Sequence, residues 1–169
     1  MNKLSVIVPV YNEENNIRPF LSRMIPVLDK ISPSYEVIFI LDPSTDNTEE
    51  IILEENKNNE KVKLIVMSRR FGQPAATMAG IRACDGEYCV IIDVDLQDPP
   101  ELVSDMYMKA TDGFDVVYAK RKSRQGETII KKAIAKLGYF LINRLSDISI
   151  PENTGDFRII NRKVISHLV

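Results

Sequence analysis

The sequence is poor in the residues that most often announce an active site. Its one histidine, His167, is the third residue from the end, so a surface position is expected there rather than a catalytic one. The two cysteines, Cys84 and Cys89, lack a second pair at metal-site spacing and read as plain thiols of a reducing compartment. Neither G-x-x-x-x-G-K-S/T nor G-x-G-x-x-G occurs, which removes support for a P-loop hydrolase or a dinucleotide oxidoreductase. No run of 18 apolar residues is present, so the chain as given is not expected to span a bilayer. Met1-Asn2-Lys3 leads straight into a strand-like segment, and no N-terminal signal is expected.

What remains is an ordinary globular composition, with 169 residues, 44% hydrophobic and 27% charged, enough for one domain with a sizeable core. The net charge of -2 conceals an asymmetry. Residues 1–119 hold 11 Lys/Arg against 20 Asp/Glu, a net -9, and residues 120–169 hold 11 against 4, a net +7. A basic half of this kind suits nucleic acid, an anionic membrane surface or a phosphorylated substrate, and charge alone does not choose among them.

Strand-like and helix-like patterns alternate along the acidic half. "LSVIVPVY" (residues 4–11) is almost continuously apolar, as a strand covered on both faces would be. The following segment places Ile17, Phe20, Leu21, Met24 and Leu28 at helical spacing, with Asn12 or Asn15 as the expected cap. Further strands are expected at "YEVIFIL", "VKLIVM", "EYCVIID" and "DVVYA". Helices are expected from about residue 48 to 56, over "QPAATMAGIRAC" with Pro74 in its first turn, and over "PPELVSDMYMKAT". The alternation predicts a parallel, doubly wound α/β sheet, whose ligands would bind beyond the carboxyl ends of the strands. From residue 120 the pattern changes: seven basic residues and one acid in residues 120–136, then a stripe of Ile130, Ile134, Leu137, Leu141 and Leu145 opposite Lys132, Lys136 and Asn143. Such a helix fits either a membrane surface or the domain's own core.

The polar clusters "PVYNEE", "DPSTD" and "DVDLQD" all fall at strand ends. For "DPSTD" a turn with helix caps is the simpler reading. Asp93 and Asp95 are different: after a buried strand, alternation puts both carboxylates on one side and Val94 on the other. Paired carboxylates repel unless a cation or donors lie between them. Mg²⁺ or Mn²⁺ takes one or two carboxylates and completes its shell with water and phosphate oxygens, so this D-x-D points to a divalent ion shared with a diphosphate.

Five segments in order, "SVIVPVYNEE", the acidic turn after the second strand, "GQPAATMAGI", "DVDLQDPPEL" and "NTGDFRIINRKV", resemble the catalytic domain of family 2 glycosyltransferases. The nearest branch is the polyprenyl-phosphate sugar transferases, which include dolichyl-phosphate mannose synthase and bactoprenol glucosyltransferase. The resemblance implies a Rossmann-like GT-A α/β fold with a mainly parallel sheet flanked by helices. It implies sugar transfer with inversion from a UDP- or GDP-sugar to a lipid phosphate, at the cytoplasmic face of a membrane, in the service of the cell envelope. It implies no nucleic-acid partner and leaves room for a homo-oligomer. By the same resemblance Pro9, Tyr11, Glu13, Asp42 and Asp93 bind the nucleotide. Asp93, Asp95 and Gln97 hold Mg²⁺ or Mn²⁺, Arg121, Arg124 and Arg158 contact phosphates on the acceptor side, and Asp156 is the candidate base. Residues 1–119 would form the nucleotide-sugar half and residues 120–169 the basic, membrane-facing segment, without a C-terminal membrane anchor.

Leu41 and Pro43 stand where the family usually has Asp and Gly, and Arg70 replaces a frequent asparagine. The first two departures leave the nucleobase open and keep a sugar-nucleotide-binding module without turnover as the alternative. A receiver module would place its paired acids after the first strand and a haloacid-type phosphatase its D-x-D there, whereas this D-x-D follows the fourth.

Overall fold

The computed structural model describes residues 4–32, 34–120 and 154–169. The chain divides into two compact units, Met1–Tyr118 with Asp156–Val169, and Ala119–Gly155. Arg121, Arg124 and the amphipathic stripe from Ile130 to Leu145 lie outside the described residues.

The described strands are β1 (Leu4–Val10), β2 (Tyr35–Leu41), β3 (Val62–Val66), β4 (Tyr88–Ile91), β5 (Val116–Lys120) and β6 (Thr154–Asn161). They form one sheet in the order β3-β2-β1-β4-β6-β5. β1 pairs in parallel with β2, Leu4 facing Tyr35, and with β4, Leu4 facing Tyr88; β2 pairs in parallel with β3. β2 is buried along its whole length and β1 at all but Pro9, which is why both read as unbroken apolar runs.

Helices α1 (Ile17–Ile31), α2 (Thr48–Asn58), α3 (Gln73–Ala83), α4 (Leu102–Thr111) and α5 (Arg162–Leu168) complete the described fold. Alternation along the strands separates two sets of contacts. Ile7, Ile38, Ile40 and Ile91 form one core cluster with Ala76 and Ile81 of α3 and Ile165 of α5. Phe39, between Ile38 and Ile40, instead meets Phe20 of α1 edge to face, ring centroids 6.1 Å apart. Full burial of each such side chain contributes about 1.5–3 kcal/mol. α3 sits close on the sheet because Gly80 has no side chain there. A methyl group at that position would lie 2.5 Å from Ile7 Cγ2 and 2.7 Å from Ile40 Cδ1.

The sheet is mainly parallel, as expected, with β6 entering antiparallel beside β4, Val90 facing Ile159, and separating β4 from β5. Two expectations are corrected. The N-cap of α1 is Asn16, because Asn12, in a left-handed conformation at φ 54°, is used to join two loops. β4 ends at Ile91, so the D-x-D lies in the turn beyond it.

At the opposite end of the strands, the buried Glu36 carboxylate accepts hydrogen bonds from Ser5 Oγ, from Lys63 Nζ at 2.6 Å and from the Asp85 N–H at 3.0 Å. Burial opposes its ionisation, yet these donors outweigh that cost and hold its pKa below the ordinary 4.5. A depressed folded-state pKa stabilises the fold above the unfolded value and loses that contribution as pH falls through the folded one. Glu36→Gln should therefore lower stability at neutral pH by about 1–3 kcal/mol and flatten the decline in stability below pH 4.5. Urea denaturation between pH 3 and 7 measures both effects.

Candidate active site

From β1 the chain steps outward through β2 to β3, then returns to place β4 on the other side of β1. That reversal opens a crevice at the carboxyl ends of β1 and β4, where open α/β sheets bind ligands. A cavity of about 250 Å³ lies there, walled by Pro9 and Val10 at the end of β1 and Tyr11 and Glu13 after it, by Asp42 after β2, and by Asp93, Val94 and Asp95 after β4. Gln73 and Ala76 of α3 close it.

Two loops are fastened together on the β1 side. Asn12 donates its N–H to Ser44 Oγ at 3.0 Å and accepts from the Thr45 N–H at 2.8 Å. Glu13 and Glu14 donate their N–H groups to Thr48 Oγ1 and Asp46 Oδ2. Burial raises the Asp46 pKa, but bonds from Thr48 and from backbone N–H groups outweigh it and leave the carboxyl below its ordinary value. The residues of "DPSTD" that face these loops thus serve the turn, as the simpler reading had it. Tyr11, held at the rim, carries the Arg70 guanidinium 3.9 Å above its ring, a cation–π contact and the structural setting of the departure at Arg70.

Asp42 is only 4% exposed and accepts from the Gly72 N–H at 2.8 Å and the Phe71 N–H at 3.3 Å. It fixes the entry to α3, where Gly72 adopts φ 86°, a value that favours glycine. Leu41, beside it, ends β2 in full burial opposite Val10, so the position of the family's usual first acid belongs to the core.

Asp93 and Asp95 both line the cavity, though not by strand alternation, since Val94 lines it too. Ile92 makes one last ladder bond to the Ile7 carbonyl at 3.2 Å, after which the chain turns. Asp95 Oδ1 accepts from the Gln97 N–H at 3.0 Å around Leu96 at φ 60°. The Gln97 side chain is exposed and stands outside the cavity wall. Asp156, exposed in β6, reaches the cavity through a residue that the sequence reading left without a role. Gln73 Nε2 donates to Asp93 Oδ1 at 2.8 Å and to Asp156 Oδ2 at 3.2 Å. Arg158 is half-buried two residues along β6, facing Ile91 in register. The signal for Gln73 was its place between a glycine and a first-turn proline at the mouth of a βα unit.

Among the described residues no group of three or more His, Cys, Asp or Glu is arranged to hold a metal ion. Two carboxylates with room beside them nevertheless fit an ion that takes its other ligands from phosphate and water.

Residues 5–169 match the family described as glycosyl transferase family 2. The chain belongs to that family. It is 43% identical to an uncharacterized glycosyltransferase of Synechocystis, over 97% of this chain and 52% of the relative. To the bactoprenol glucosyl transferase of Shigella phage SfX it is 36% identical, over 98% of this chain and 54% of that one. The chain thus spans about half the length of the curated relatives it matches. Among solved structures it is similar to a Pyrobaculum calidifontis mannosyltransferase in complex with GDP-Man and Mn²⁺. That match has a TM-score of 0.68 at 21% identity and covers 98% of this chain and 46% of that one. The likeness shows the fold, which is GT-A. No described helix is long and apolar enough to cross a membrane.

Proposed function

We propose that this domain transfers a sugar, with inversion, from a nucleotide diphosphate sugar to a polyprenyl phosphate or similar lipid phosphate at the cytoplasmic face of a membrane. The observation that carries the reading is the meeting of the D-x-D turn and Asp156 at one amide, Gln73 Nε2. Groups nominated for the donor and the acceptor then share one crevice. The relative that acts on bactoprenol supports the acceptor class, and the neighbour solved with GDP-Man and Mn²⁺ supports the donor class and the ion.

In this reading the Tyr11 ring and the Asp42 corner receive the nucleoside. Asp93 and Asp95, with Gln97 as a candidate third ligand, would hold Mg²⁺ or Mn²⁺, which offsets charge on the leaving diphosphate. An acceptor phosphate oxygen forms the new bond to the anomeric carbon as the bond from that carbon to the diphosphate oxygen breaks, and the nucleoside diphosphate leaves with the electron pair. A lipid phosphate is already anionic near neutral pH, so Asp156 positions it, or balances Arg158, rather than removing a proton. The basic residues 120–136, Arg121 and Arg124 among them, would face acceptor phosphates and anionic lipid.

The full-length protein, given radiolabelled UDP- and GDP-sugars and undecaprenyl phosphate in detergent, should move label into the organic phase with matching release of nucleoside diphosphate. Tight nucleotide binding with no label transferred from any donor would favour the binding module without turnover.

A further inference from the structure

We infer that Gln73 is a positioning residue that holds the donor-side carboxylate Asp93 and the acceptor-side carboxylate Asp156 in one fixed geometry. The inference rests on the glycosyltransferase reading. Asp93 and Asp156 stand 63 residues apart in sequence, and each receives a hydrogen bond from the same Nε2, at 2.8 and 3.2 Å. Ionised carboxylates only accept, and a primary amide nitrogen carries two hydrogens. One amide can therefore serve both without competition, and it lessens the repulsion that would otherwise drive the two carboxylates apart.

The amide is delivered from a rigid seat. Gln73 opens α3 directly after Gly72, whose N–H is held by the buried Asp42 carboxylate at 2.8 Å. Behind it Pro74 presets the first turn, and Ala76 and Ile81 anchor the helix in the core beside the close approach at Gly80. Asp42, Asp93 and Asp156 are thereby tied through residues 71–73. A ligand that moves the Asp42 corner would move the amide that orients Asp156. Side chains held this way by packed elements keep the tolerance that transfer chemistry needs.

The test compares Gln73→Leu, which keeps bulk without the donor, with Gln73→Glu, which sets a third carboxylate between the other two. Steady-state transfer to undecaprenyl phosphate by the full-length protein is measured beside calorimetric affinity for the nucleoside diphosphate and the melting temperature. Gln73→Leu should lower kcat about 10–100-fold, as a displacement near 1 Å would, with a smaller loss of nucleotide affinity through Asp93, and an unchanged melting temperature. Gln73→Glu should lose more. Placed on Asp156→Asn, Gln73→Leu should cost little further, because the group it positions is already altered. Undiminished kcat in both variants, full additivity with Asp156→Asn, or nucleotide affinity falling in step with kcat would overturn the inference and leave the glycosyltransferase reading standing. Absence of transfer by the unaltered protein would overturn both.

Discussion

Asp95→Ala is expected to remove the dependence of nucleotide binding on divalent metal. In the unaltered protein a nucleoside diphosphate should bind about 10²–10³-fold more tightly with Mn²⁺ than with chelator. A charge pair about 4 Å apart at an effective dielectric near 20 is worth about 4 kcal/mol before losses to hydration. Asp95 lies at the open end of the turn, exposed and lining the cavity, so its replacement removes charge without disturbing the core. Titration calorimetry with and without chelator measures the difference. Equal affinities in the unaltered protein would remove the metal from the account.

Asp156→Asn should separate chemistry from binding. The side chain is exposed, and such substitutions usually leave stability within about 0.5 kcal/mol. General bases contribute about 10²–10⁴-fold, and an acceptor that is already anionic puts the expected loss in kcat near the low end, about 10²-fold. Nucleotide affinity should stay close to that of the unaltered protein, because Asp156 stands on β6 rather than among the residues after β1 and β2. Loss of affinity as deep as that of Asp95→Ala would assign Asp156 to the donor side.

Much of the fold was legible because β1 and β2 are buried on both faces and α1 repeats its apolar residues at helical spacing. β2 keeps its expected bounds, β1 ends one residue earlier, and α1 begins at Ile17 after the cap at Asn16. β6 and α5 were not, because Phe157, Ile159 and Ile160 make too short a run to announce a strand. Their burial depends on β4, about 70 residues earlier, and that pairing is a property of topology rather than local pattern. The acids of the crevice were legible because they follow the carboxyl ends of buried strands, where an open α/β sheet binds its ligands. Strand alternation misjudged Val94, since β4 ends at Ile91 and the chain turns after the last ladder bond at Ile92. Gln73 carried no charge, and its place in "GQPAATMAGI" assigned it no role. Its role exists only where Asp93 and Asp156 converge on one nitrogen, and that convergence is three-dimensional.

In the proposed mechanism one crevice at the ends of β1 and β4 takes the nucleoside diphosphate against the D-x-D turn, with Asp156 beside it across Gln73. Crystals grown with a nucleoside diphosphate and Mn²⁺ test it most directly, because anomalous scattering locates the ion independently of the phosphates. The expected result is an ion bound by Asp93 or Asp95 and the diphosphate, with the base between Tyr11 and Asp42. An ion and nucleotide found together away from both carboxylates would contradict it.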